Sequence, residues 1–153
     1  RFIAPIPENE RCHMMAAYHK RLTGDNEAEK LACAKAWSQW EGGTVTLLPD
    51  EAMVDDFGGD QFALAFARIE NHFFMNAGWM DEGQLQRDAH KLKGIPGVIV
   101  HGRFDMPCPL KYAWNLAKAW PDTELHIIEA AGHAMSEPGI LDQLIRATDK
   151  FAE

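Results

Sequence analysis

Residues Ile95–Asp105 read IPGVIVHGRFD, and a stretch further along, Ala130–Glu137, reads AAGHAMSE. In the first, Val98, Ile99 and Val100 make a short β-branched run that closes on His101-Gly102-Arg103 and then reaches Asp105. Branched side chains pack well on a pleated surface, so the run predicts a strand. Leu125-His126-Ile127-Ile128 is a second apolar run, closing on Ala130-Ala131-Gly132-His133. Open α/β sheets build sites from residues delivered just past the C-terminal ends of their strands. Delivered here are an acid and then a histidine. These are the second and third members of a Ser…Asp…His triad in one of the chain orders such triads take.

Between the two runs lies room for a crossover. Pro109–Trp120 (PLKYAWNLAKAW) carries Leu110, Ala113, Trp114 and Ala117 at helical spacing, and Pro121-Asp122 stops it. A strand–helix–strand unit of this kind is expected to be parallel and right-handed. A last helix, Pro138–Phe151, opens with proline at a position where its missing N–H costs nothing. It is expected to bury Ile140, Leu141, Leu144 and Ile145.

The preceding residues read as helices. Arg1–Glu10 is interrupted by proline and expected to be extended, with a helix entry after Pro7 where Glu8 and Glu10 suit the positive end. Cys12–Leu22 is helical, and Thr23-Gly24-Asp25 breaks it. Asp25 or Asn26 caps a helix from about Glu27 to Trp40, with Leu31, Ala34, Trp37 and Ser38 on one stripe. Trp37 and Trp40 are expected in the core. Thr44–Asp56 is less regular because of Pro49. Gln61–Met75 is a strong helix with Phe62, Phe66, Ile69 and Phe73 in line, and Glu82–Leu92 is amphipathic. The expected organisation is a helical part, 1–93, followed by a β-α-β-α part, 94–153. Two parallel strands cannot cover themselves, since such strands are normally buried on both faces. The pattern therefore asks for further strands.

The 153 residues suffice for one ordinary domain, and 46% hydrophobic content suffices for a core. A net charge of −8 argues against nucleic acid or an anionic membrane as partner. No apolar run approaches a membrane span, and no signal peptide opens the chain. The chain starts at Arg1 rather than methionine, which leaves open whether the cut there is natural, engineered or proteolytic. Cys12, Cys33 and Cys108 are odd in number and unevenly spaced, as reduced thiols of a cytoplasmic protein are. No metal is expected. There is no CxxC, the histidines do not cluster with cysteines along the chain, and His13 and His19 fall on different helix faces.

The wording of several segments is more specific than their pattern. HGRFDMPCP, AWNLAKAWPDTELHIIEAAGH and EPGILDQLIRATDKFA closely resemble the C-terminal part of the proline iminopeptidases, and AYHKRL, AWSQWEG and FALAFARIENHFF extend the resemblance over nearly the whole chain. These are α/β-hydrolases that remove an N-terminal proline from peptides without a cofactor. The resemblance implies an α/β fold: a mostly helical cap (1–93) and the last two strands of the hydrolase core (94–153). One part is missing. The serines are Ser38 and Ser136, neither in a G-x-S-x-G elbow, and no glycine-rich oxyanion loop is present. The nucleophile is expected upstream of residue 1, and the isolated chain is expected to be inactive.

His133 is the candidate base, which would take the serine proton and return it to the leaving amine. Asp105 would orient its ring; a turn-forming aspartate before Met106-Pro107 is the plainer alternative. His101 is taken as structural. The resemblance carries recognition of the substrate amine to Glu41 and Glu70, through charge-assisted hydrogen bonds to a protonated prolyl nitrogen. It carries the proline pocket to Phe74 and Cys108. Solvated helix-surface glutamates and simple core packing are the plainer readings of these four. Two other functions stay open. One is a truncated, non-catalytic amine-binding module; the other is a different capped α/β-hydrolase such as an esterase or epoxide hydrolase. If the chain folds alone, its first strand is expected to expose an edge and to pair two copies into a homodimer.

Overall fold

The computed structural model describes residues 1–152; Glu153, the end of the expected second part, lies outside the described residues. The chain forms two compact units: residues 1–43 with 50–81, and residues 44–49 with 82–153.

The first unit is helical. The opening residues are not extended: Ala4 N–H bonds to the carbonyl of Arg1 and Ile6 N–H to that of Ile3, and these turns bury Ile6. A 3-10 turn over Glu8–His13 follows Pro7. Helix α1 spans Met14–Leu22 and α2 spans Glu27–Gly42. Asn26 caps α2, its side chain accepting from the N–H of Glu29. This satisfies one of the donors a helix start leaves unpaired. Asp50 caps α3 (Glu51–Phe57) in the same way, and α4 spans Asp60–Met75. The core is built from Ile6, Ala17, Tyr18, Leu22, Cys33, Ala34, Trp37, Ala63 and Ala67. Phe2 and Tyr18 stack at 4.9 Å, and Tyr18 meets Trp37 edge-on at 5.0 Å.

α4 buries a different face from its aromatic stripe. Ala63, Ala67 and Asn71 are buried, whereas Phe62, Ile69 and Phe73 are exposed. Small side chains let α4 lie close against α1 and α2, and large ones on that face would hold the helices apart. Asn71 is buried without loss because its amide donates to the carbonyl of Met15 while its oxygen meets Nδ1 of His19. Trp37 is in the core as expected. Trp40 is not: it is exposed, with one face against Phe2.

The second unit is mixed. After α5 (Gln84–Asp88), strand β1 covers Gly97–Gly102, α6 covers Lys111–Ala119, β2 covers Thr123–Ile128 and α7 covers Pro138–Ala152. β1 and β2 pair in parallel, with Gly97 opposite Thr123 and Gly102 opposite Ile128. Among the described residues these form the one sheet, and its strands are half-buried. α7 buries Ile140 alone of its four expected residues; Leu141 and Ile145 are exposed and Leu144 is half-buried. A two-stranded sheet is too narrow to cover the whole apolar face of a four-turn helix. No helix is long and apolar enough to cross a membrane among the described residues.

Candidate active site

The two strands end side by side, and glycines make that possible. A Cβ on Gly102 would lie 1.8 Å from the carbonyl oxygen of Gly132. Any side chain there would push the loop after β2 away from the end of β1. The loops are then stitched together: Arg103 N–H bonds to Ile128 O at 2.9 Å and Phe104 N–H to Ala131 O at 3.0 Å. On the far side, the N–H groups of His133 and Ala134 both reach the carbonyl of Val45, at 2.7 and 2.8 Å.

The acid and the histidine meet in this frame. Nδ1 of His133 lies 2.9 Å from Oδ2 of Asp105. A carboxylate only accepts, so the ring donates from Nδ1, and the neutral imidazole keeps its lone pair on Nε2. The Asp105 side chain is 5% exposed and the His133 side chain 41%. The acid is held inside while the ring keeps access to solvent. Oδ1 of Asp105 accepts the N–H of Cys108 at 2.8 Å, closing the turn through Met106-Pro107. The turn-forming role and the pairing with His133 are therefore both filled, one by each carboxylate oxygen.

Two contributors were not evident from the sequence. His101 donates from Nδ1 to the carbonyl of Gly102, and its Nε2 stands 3.5 Å from the same Asp105 oxygen that His133 uses. Its place at the end of the strand that leads to Asp105 was the available signal. Glu137 holds the histidine loop. Its carboxylate accepts the N–H of Gly132 at 2.7 Å and that of Leu47 at 3.3 Å. Nothing in the sequence marks a contact ninety residues apart.

The remaining candidates are in the first unit, apart from Cys108. Glu41 is buried on α2, one turn after Trp37. Glu70 on α4 is half-buried and accepts the indole N–H of Trp37 at 2.5 Å. Neither is a solvated surface glutamate. Phe74, one turn after Glu70, is 53% exposed, with its ring 6.0 Å from that of Trp37. The structure thus gathers Glu70 and Phe74 around one indole. Cys108 is exposed as well, so neither it nor Phe74 serves to fill a core.

Cys108 also approaches the acid and the histidine. One donor atom each from Asp105, Cys108 and His133 lie within 4.8 Å of one another. The separation of cysteines from histidines along the chain does not survive folding at this point.

No family model matches the chain. Curated relatives do. A protein of Xanthomonas citri named proline iminopeptidase is 55% identical over 152 residues, which are 99% of this chain and 49% of that protein. One from Xylella fastidiosa (strain Temecula1) with the same name is 53% identical over the same shares. An Arabidopsis thaliana proline iminopeptidase is 46% identical over 95% of this chain and 39% of its own length. The chain spans about half the length of the bacterial relatives it matches.

Proposed function

We propose that this chain is the C-terminal part of a proline iminopeptidase: helical cap over 1–93, and last two strands of an α/β-hydrolase core over 94–153. The observation that carries the reading is the His133–Asp105 hydrogen bond, formed in the loops that follow two parallel strands. The substrate class rests on the names of the relatives.

In the proposed reaction a serine from the preceding half attacks the carbonyl of an N-terminal proline. His133 Nε2 accepts the serine proton, and Asp105 holds the ring in that tautomer and stabilises the imidazolium. The C–N bond breaks, and the same proton passes from His133 to the leaving amine. Water then hydrolyses the prolyl-enzyme by the same route in reverse. Glu41 and Glu70 receive the protonated prolyl nitrogen. Partial desolvation strengthens that contact, because a carboxylate among aromatic rings has little water to lose. The similarity to the iminopeptidases assigns contact with the proline ring to Phe74 in the first unit and to Cys108 in the second. A cytoplasmic location is part of the same reading, since reduced thiols persist there.

The test is hydrolysis of a proline arylamide by this chain alone, and by the chain fused behind the preceding half of the Xanthomonas citri relative. Silence from the chain and turnover by the fusion are expected. Turnover by the chain alone, or a folded but silent fusion, would overturn the assignment. The outer edge of β1 carries no strand among the described residues, and it would pair two copies of the isolated chain. Light scattering should then give twice the chain mass, and a monomer at high concentration would remove this part.

A further inference from the structure

We propose that a cleft between α1 and α4 binds the C-terminal end of a peptide whose last residue is apolar. Both helices belong to the first unit. The cleft holds about 510 Å³, within the range of small-ligand sites, which are mostly apolar with a few placed polar groups. Leu22, Leu64 and Ile69 supply the apolar walls, and His19, Arg68 and His72 supply polar groups. Arg68 and Glu70 stand two residues apart on one helix, and residues so spaced face away from each other. The cleft is therefore separate from the carboxylate proposed to hold the substrate amine, and it does not rest on the peptidase reading.

The polar groups select the ligand. Arg68 is exposed and has no ion-pair partner among the described residues. Its guanidinium presents paired N–H donors at the spacing of a carboxylate. His19 is set by Asn71, which is 1% exposed. The Asn71 amide donates to the carbonyl of Met15 at 3.0 Å, which turns its oxygen toward Nδ1 of His19, also at 3.0 Å. That oxygen only accepts, so His19 donates from Nδ1, and its neutral ring keeps an acceptor at Nε2. On His72 the order is reversed. The amide nitrogen of Asn76 stands 3.5 Å from Nδ1, which leaves the ring N–H on Nε2. The cleft thus offers a guanidinium and an N–H to a carboxylate, and an acceptor to an N–H. The last residue of a peptide carries a carboxylate, an amide N–H and a side chain on one Cα. A fatty acid lacks the N–H. Gln61 and Leu64 also line an adjoining cleft of about 240 Å³, which gives the preceding residues room.

The experiment is an NMR titration of the isotope-labelled chain with three probes: N-acetyl-Leu-Leu, its C-terminal amide, and decanoate. Acetylation removes the free amine, so Glu41 and Glu70 have nothing to hold and the proposed peptidase site is not read. Saturable shifts are expected at the backbone amides of Gln61, Leu64 and Arg68. Replacing the carboxylate by the amide should weaken binding about tenfold or more, and so should Arg68→Gln. Decanoate should bind more weakly than the peptide. Arg146→Gln, at an exposed arginine on α7, should change nothing. The dispersion of the free spectra checks that both exposed substitutions leave the fold intact. Absence of saturable shifts, equal binding of the amide, decanoate binding as tightly as the peptide, or an affinity indifferent to Arg68→Gln would each overturn the site.

Discussion

The two units are stabilised in different ways. The helical unit closes a core around Trp37 and Tyr18, with eight or more apolar side chains fully out of water. Among its described apolar residues other than glycine, the strand-bearing unit buries only Val45, Ala89, Ala131 and Ile140, and its two strands are half-buried except at Gly102, which is buried, and Glu124, which is exposed. Yet that second unit holds the Asp105–His133 pair. Stability is concentrated in the first unit. The chemistry proposed for the second depends on backbone bonds and glycine contacts between loops, which fix geometry while burying little area. Hydrophobic stabilisation scales with apolar area removed from water, so the two properties need not coincide.

The largest expected effect falls on the second unit and spares its fold. In the active fusion, His133→Ala should lower kcat by roughly 10⁴-fold or more. Its effect on stability should stay within about 0.5 kcal/mol, as for most exposed positions. Steady-state kinetics and urea melts of the same sample check both halves, and a large loss of stability would break the contrast.

Next comes a matched pair of tryptophans. Trp37→Ala in the first unit should cost about 3–5 kcal/mol, the range for emptying a core aromatic site. Trp114→Ala in the second, where the ring is 45% exposed, should cost about 1 kcal/mol or less. Equal losses in chemical denaturation would show that the second unit has a core after all.

Glu137→Ala tests whether loop bonds do for the second unit what burial does for the first. It leaves two backbone N–H groups without their carboxylate and should cost about 1–3 kcal/mol. Glu137→Gln, which keeps one acceptor oxygen, should recover part of it. If neither changes hydrogen exchange at Gly132 and Leu47, the clamp is not what holds the loop.

The smallest effect is alkaline. Burial pushes the Cys33 thiol up to about 11 from its ordinary 9.0 and also raises Tyr18. The native state keeps protons that an unfolded chain would release, so this contribution to stability is full below about pH 9 and is lost as pH rises toward 11. Melts across that interval should show the decline. At neutral pH a disulfide reagent should modify Cys12 and Cys108 and spare Cys33 until the chain unfolds.

Much of the local structure was legible. A cap at Asp25 or Asn26, of which Asn26 makes the bond, the helix break at Thr23–Asp25, and the strand–helix–strand order all follow from side-chain chemistry within a few residues. The buried faces were less legible. Phe62, Phe66, Ile69 and Phe73 stand in line on α4 as read, but of these only Phe66 packs against the core, and the fully buried face is that of Ala63 and Ala67. Leu141 and Ile145 looked buried on α7, but two strands offer too little surface to cover them. Periodicity locates a helix and its apolar residues; which of them lose water depends on what lies opposite.

The same division runs through the site. The sequence by itself determined that an acid and a histidine follow two apolar strands, because strand propensity and the residues at strand ends are local properties. Only the tertiary structure decided that they touch, that Glu137 reaches back to Leu47, and that Cys108 joins Asp105 and His133 in one cluster. The approach of the two strand-end loops rests on Gly102, where a Cβ would lie 1.8 Å from the carbonyl oxygen of Gly132, and that of Gly132 to residues 45–47 leaves equally little room for a side chain.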